Sequence, residues 1–280
     1  MDLDFSTVGS KTIVIALHGL EGSSKSKYIV SIANQLNKNN IDIVAVNFRG
    51  CSGEQNRVYS SYHSGRTEDL NAVIQYITDY YSYQKIILLG FSLGGNMALK
   101  YLGEHNHNLH KNITCALAIS VPCDLASSSE ALKHPRNFIY MKRFLRTLKS
   151  KTLEKLTNFP NAPLDNKKIE NVRNFYDYDT LFTAPANGFL SAEDYWEQSS
   201  CKKYLQNINI PTLLVISKDD TFLGESCYPF EIAKNHTYLH LEVTKYGGHV
   251  GFNQQLFGKN GFWLEKRIIS FIAEQNYSKS

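Results

Sequence analysis

The sequence predicts an α/β protein with a mostly parallel central sheet, flanking helices and an inserted helical cap. Three observations lead there. Short apolar runs rich in Ile, Val and Leu alternate with longer helix-like segments. Those runs show no strict polar–apolar alternation. One interval, 125–205, breaks the rhythm because it contains no strand-like run. Strand and helix in alternation build βαβ units, and parallel strands covered on both faces read as continuous apolar runs.

The strands expected in order are Thr12–Leu17, Ile41–Phe48, Lys85–Leu89, Thr114–Val121, Pro211–Ser217 and Tyr238–Val243. Between and after them, helices are expected at Tyr28–Leu36, Thr67–Tyr80, Gly95–Leu102 and Trp263–Gln275. The last carries Leu264, Ile268, Ile269 and Ile272 on one stripe. The strand-free interval is aromatic, locally basic and helix-like, and reads as a cap laid over the sheet edge. At 280 residues two domains are conceivable by length, but no Pro/Gly-rich linker or repeat divides the chain. A single domain over 1–280 with a cap at 125–205 is therefore expected.

Composition narrows the function classes. Lys+Arg 30 against Asp+Glu 26 gives a net charge of +4 on a chain only 20% charged, too little to suggest a nucleic-acid footprint, which needs clustered positive charge. The five cysteines are widely spaced, odd in number and form no CxxC, so neither a disulfide framework nor a structural zinc site is expected. A reducing, cytoplasmic setting fits that usage. The start has no basic n-region and no apolar run is long enough to span a bilayer.

The strongest chemical signal is Gly90-Phe91-Ser92-Leu93-Gly94-Gly95. It follows the apolar Lys85–Leu89 run and precedes a helical Asn96–Leu102 segment. Strand, sharp turn and helix form the context a nucleophile elbow requires, with the serine Oγ projected above the sheet at a helix N-terminus. A serine needs a base, and the base needs an orienting acid. Tyr246-Gly247-Gly248-His249-Val250-Gly251 follows the last strand and supplies His249 as the base. Lys218-Asp219-Asp220-Thr221-Phe222 follows the Pro211–Ser217 strand and offers two adjacent acids. Asp220 is preferred, Asp219 is the alternative that would hold the turn, and Asp124 is a weaker rival after an earlier strand. The loop Leu17-His18-Gly19-Leu20-Glu21-Gly22-Ser23-Ser24 closes the set. A tetrahedral oxyanion needs two backbone donors, expected at the Leu20 and Leu93 amides.

These stretches, with Asn47-Phe48-Arg49-Gly50-Cys51-Ser52-Gly53 and Tyr62-His63-Ser64-Gly65, carry a family resemblance. In order, from about residue 12 to 252, the chain resembles the α/β-hydrolase superfamily, and within it the YheT-like branch of abhydrolase-domain carboxylesterases. The resemblance implies a Ser92, Asp220, His249 triad and hydrolysis of carboxylic esters. Chemistry by such a triad needs no metal or organic cofactor, and none is expected. Two departures stand out. Only residues 1–16 precede the oxyanion-type loop, where relatives have two early strands, so an edge of the sheet is expected to be missing or the start truncated. Thr221 stands where many relatives have Pro.

The aromatic, apolar cap points to a substrate with an acyl chain, such as a short-to-medium acyl ester or a monoacylglycerol-like lipid. Acyl transfer or thioester hydrolysis by the same triad, or a non-catalytic lipid-binding role, are the competing readings. Within the cap, Phe138, Met141, Phe144, Leu145 and Leu148 recur at helical spacing among Lys142, Arg143, Arg146, Lys149 and Lys151. Such a helix either packs on the core or rests weakly on an anionic membrane surface, and packing is the expectation. His105, His107 and His110 are expected to lie in a solvated loop rather than bind metal, and neither His63 nor Cys51 is assigned chemistry.

Overall fold

A computed structural model describes residues 1–252 and 263–277. In chain order its elements are β1 (Asp2–Ser6), β2 (Thr12–Leu17), α1 (Lys27–Lys38), β3 (Asp42–Asn47), α2 (Thr67–Tyr80), β4 (Lys85–Phe91), α3 (Leu93–His105) and β5 (Ile113–Ile119). After β5 come α4 (Leu125–Lys133), α5 (Phe138–Asn158) and a run of shorter helical pieces to Asn207. The chain then returns through β6 (Thr212–Ser217), the short Phe230–Lys234 helix, β7 (Leu239–Thr244) and the closing Trp263–Tyr277 helix.

The seven strands lie in the order β1-β3-β2-β4-β5-β6-β7, and every pairing is parallel except β1 with β3. The six expected strands and four expected helices are present, with ends shifted by a few residues. β1 was not among them. It runs antiparallel along β3, pairing Asp2 with Asn47 and Ser6 with Ile43, and forms one edge of the sheet, a single early strand where the resemblance implies two. Its sequence, Asp-Leu-Asp-Phe-Ser, alternates because only one face is covered: Leu3 and Phe5 pack on the core while the polar residues face outward.

Two apolar layers sandwich the sheet. α2 and α3 cover one face through Leu70, Val73, Ile77, Met97 and Leu102, against Ile15, Leu17 and Leu88. α1 and the Trp263–Tyr277 helix cover the other through Ile32, Leu36, Ile268 and Phe271, against Val14, Leu89 and Ile119. Side chains of β2, β3 and β4 are therefore shielded from both sides, which is why their sequences are unbroken apolar runs. A separate cluster sits between β5 and β6 in the chain: Met141, Leu145, Leu148, Ile169, Phe175 and Phe182, joined by Phe222. Most of the basic amphipathic stripe thus packs inward, although Phe138 at its start is 65% exposed. No helix among the described residues is long and apolar enough to cross a membrane.

The chain passes from β2 outward to β3 and then back across to β4, so the strand order reverses at the β2–β4 pair. Ligand sites of open α/β sheets form beyond the carboxyl ends of the strands at such a reversal. Leu17 of β2 pairs with Gly90 of β4, so the loops after these two strands emerge side by side.

Leu88 on β4 is fully buried between the two neighbouring strands. Leu88→Ala should lower unfolding free energy by about 2–5 kcal/mol, read as a shifted urea midpoint at unchanged m-value.

Candidate active site

The turn from β4 into α3 is as tight as the Gly-Phe-Ser-Leu-Gly pattern implies. Ser92 has φ +51° and ψ −117°, a left-handed conformation that costs a non-glycine residue of order 1–3 kcal/mol. The flanking glycines make it attainable. A Cβ at Gly94 would lie 2.5 Å from the Leu17 carbonyl oxygen, and one at Gly90 would collide with the Gly94 carbonyl. The Ser92 amide donates to the Ile119 carbonyl at 2.8 Å, anchoring the turn to β5.

His249, after β7, reaches this serine. Its Nε2 lies 2.8 Å from Ser92 Oγ, and its Nδ1 lies 2.7 Å from Asp220 Oδ2. Asp220 is buried, and its second oxygen accepts the Phe222 amide at 3.0 Å. The adjacent acids part company at this turn. Asp219 Oδ1 accepts from the Gly248 amide at 2.8 Å, so it holds the histidine loop from beneath. Burial would raise the Asp219 carboxyl, but the Gly248 and Gly247 amides and the Ser217 hydroxyl together keep it below its ordinary range. Asp124 lies elsewhere. It caps α4, accepting from the Ser127 amide, and faces Lys202 and Ser226.

Most of the backbone donors in the loop after β2 are taken, those of Ser23 and Ser24 by Ser26 Oγ and Asn47 Oδ1. The Gly19 amide donates to Tyr28 Oη, that of Glu21 to Tyr62 Oη, and that of Gly22 to the Gly19 carbonyl. The Leu20 and Leu93 amides have no acceptor among the described residues, and both residues line the cavity that holds Ser92. His18 braces the loop in its neutral form: Nδ1–H donates to the Gly19 carbonyl and Nε2 accepts the Phe48 amide. Burial lowers its pKa to about 4.

The cavity encloses about 1170 Å³. Ser92, Leu20, Leu93 and His249 line it together with Tyr140, Phe144, Leu148, Phe175, Tyr178 and Phe182. Cys51 also lines it, but burial pushes its thiol up to about 11, which leaves it protonated. His63 is buried and neutral, its pKa lowered to about 3 chiefly by desolvation, and its Nδ1 accepts the Gly65 amide. Among the described residues no cluster of three or more His, Cys, Asp or Glu side chains could hold a metal ion.

Several residues that order this site were not singled out from the sequence. Asn96, fully buried one turn into α3, donates to the Ser64 and Ser199 carbonyls and accepts the Cys201 amide. It ties the returning 192–201 segment to the serine's helix. Asn137 does the same for the acid loop, donating to the Thr221 carbonyl at 2.7 Å and accepting from the Thr221 hydroxyl at 2.6 Å. The Thr221 hydroxyl thus ties the acid loop to the α4–α5 turn. Phe222 packs against His249 with the rings tilted by 37° and their centroids 4.5 Å apart. A motif names loop residues; buried amides that reach across the fold leave no local pattern.

A family profile described as alpha/beta hydrolase fold matches residues 12–252. The chain belongs to this family. Its YheT-like character is borne out by the YheT protein of Escherichia coli strain K12, which carries the provisional name of an esterase. The two are 31% identical over 271 residues, covering 96% of this chain and 79% of YheT. The monoacylglycerol lipase of Saccharomyces cerevisiae is 28% identical over 278 residues, covering 94% of this chain and 59% of the yeast protein. Among solved structures, a Pyrococcus furiosus esterase matches with a TM-score of 0.61 at 22% identity, covering 95% of this chain and 83% of that one. That last likeness speaks for the α/β-hydrolase fold alone.

The neutral His18 makes stability depend on pH. Its ordinary pKa of 6.5 in the unfolded chain exceeds its folded value near 4, so the unfolded state binds the extra proton between them. Stability is therefore present above pH 6.5 and lost as pH falls toward 4, by roughly 1.4 kcal/mol per pH unit at most. Urea titrations near pH 5 should give His18→Gln a shallower dependence on pH than the wild type, by about one proton, alongside a lower stability at pH 7.

Proposed function

We propose that this protein is a serine esterase acting on carboxylic esters with an acyl chain. The observation that carries the reading is the unbroken hydrogen-bonded line Ser92–His249–Asp220 beside two amides with no acceptor among the described residues, in a large, mostly apolar cavity. Ser92 Oγ attacks the ester carbonyl while His249 Nε2 takes its proton. Asp220 holds the imidazole with Nδ1–H toward the carboxylate and stabilises the imidazolium that forms. Leu20 and Leu93 amides receive the oxyanion, and the N-terminus of α3 adds its partial positive charge. Collapse expels the alcohol, which takes the proton from His249. A water then attacks the acyl-enzyme with His249 as base, and the carboxylic acid and free Ser92 are restored.

The 125–205 segment acts as a cap within a single 1–280 domain, and its aromatic and aliphatic side chains receive the acyl chain. Short-to-medium acyl esters and monoacylglycerol-like lipids fit a cavity of this size and lining. The esterase and monoacylglycerol lipase names of the two relatives support that substrate class. Phe138 and Ile139, exposed beside Arg136 and Lys142 at the start of α5, suit a weak contact with an anionic lipid surface. A purely lipid-binding role accounts for none of the alignment at Ser92.

A p-nitrophenyl ester series of increasing chain length tests the reading. Ser92→Ala should lose about 10³-fold or more in kcat, and equal rates in the two proteins would sink it. Asp220→Asn should cost about 10³–10⁴-fold in kcat and Asp219→Asn far less, since the latter touches only the loop. The reverse ranking would transfer the orienting role to Asp219.

A further inference from the structure

Glu21 follows Leu20, the residue whose amide is proposed to hold the oxyanion, and its setting is unusual. Its φ is +55°, a left-handed conformation for a residue with a long side chain. The carboxylate folds inward, with its side chain only 5% exposed. Tyr62 grips it twice: the hydroxyl donates to Oε1 at 2.6 Å and accepts the Glu21 amide at 3.0 Å. The charge is balanced from the cap. Lys151, on the third-last turn of α5, places Nζ 2.8 Å from Glu21 Oε2 and 3.5 Å from Cys51 Sγ. Glu21 and Lys151 both line the Ser92 cavity.

We propose that Lys151 is a positioning residue for the oxyanion site, coupling the seating of the cap helix to the conformation of the Leu20–Glu21 loop. The inference rests on the esterase reading above and adds a condition to it. A buried carboxylate without its cation is strongly disfavoured, and a loop residue can escape that penalty by turning its side chain to water. For Glu21 that escape rotates the strained backbone away from φ +55°, and the Leu20 amide moves with the shared peptide chain. With α5 seated, Lys151 holds the carboxylate in place and the Leu20 N–H stays aimed at the cavity. With α5 displaced, the ion pair opens and the donor is lost. Substrate entry beneath the cap and readiness for chemistry are thereby linked through one ion pair.

The test uses the full chain with a p-nitrophenyl ester and an alkyl trifluoromethyl ketone, whose serine adduct places an oxyanion in the same position as the tetrahedral intermediate. Lys151→Met should lower kcat about tenfold or more while KM changes less than about twofold, and ketone affinity should fall in parallel with kcat/KM. Lys151→Arg should restore most of both, because it returns the charge. Glu21→Gln should cost less than Lys151→Met, since the neutral amide leaves no bare charge, and combining it with Lys151→Met should relieve part of the loss. Thermal melts check that each variant is folded. A kcat within twofold of wild type in Lys151→Met, or a loss confined to KM, overturns the inference. A wild type without Ser92-dependent turnover overturns the esterase reading instead.

Discussion

The site depends on one close approach, the packing of the Ser92 turn against the end of β2. Gly94 sits so near the Leu17 carbonyl that no side chain fits between them, and this brings two loops from adjacent parallel strands into contact. The approach does three things at once. It holds Ser92 in its left-handed conformation, it leaves the Leu93 amide at the open end of α3, and it places the Leu20 loop beside both. The backbone strain at Ser92 is sustained by the surrounding core. β2, β4 and β5 are buried on both faces and cannot relax without opening the sheet.

Around this fixed point the remaining groups arrive from loops, and each is pinned by polar contacts that reach far along the chain. Asp219 fastens the His249 loop through the Gly248 amide, and Ser217 donates to the Gly248 carbonyl. Asn137 fastens the acid loop to the α4–α5 turn, and Asn96 fastens the Ser64 and Ser199 backbones to α3. Each of these amides is buried, so a missing partner would leave an unpaired polar group at a cost of about 1–3 kcal/mol. Specific geometry at the proposed site is thus maintained by satisfied polar groups, while the apolar layers supply the bulk of stability.

Burial also decides which groups carry charge. His18 and His63 are both desolvated and neutral, which suits bracing roles made of hydrogen bonds and unsuits them for proton transfer near neutrality. Cys51 is likewise kept as a thiol. Within this lining, His249 is the imidazole set between a serine hydroxyl and a buried carboxylate, with its ring packed on Phe222.

The parallel sheet, the strand-free interval, the serine turn and the histidine loop were legible in the sequence, because each is written locally. Apolar runs mark doubly covered strands, and glycine spacing marks a turn that no other residue fits. The sequence left the choice between Asp219 and Asp220 open, since adjacent residues on a turn point in opposite directions and only the docked His249 loop separates them. It did not reveal β1, whose five-residue alternation is too short to stand out until β3 offers its unpaired side. Asn96, Asn137 and the Glu21–Lys151 pair were decided by tertiary structure alone. A buried amide or ion is held by partners up to 130 residues distant in the chain, and that pairing energy exists only once the fold has removed both partners from water.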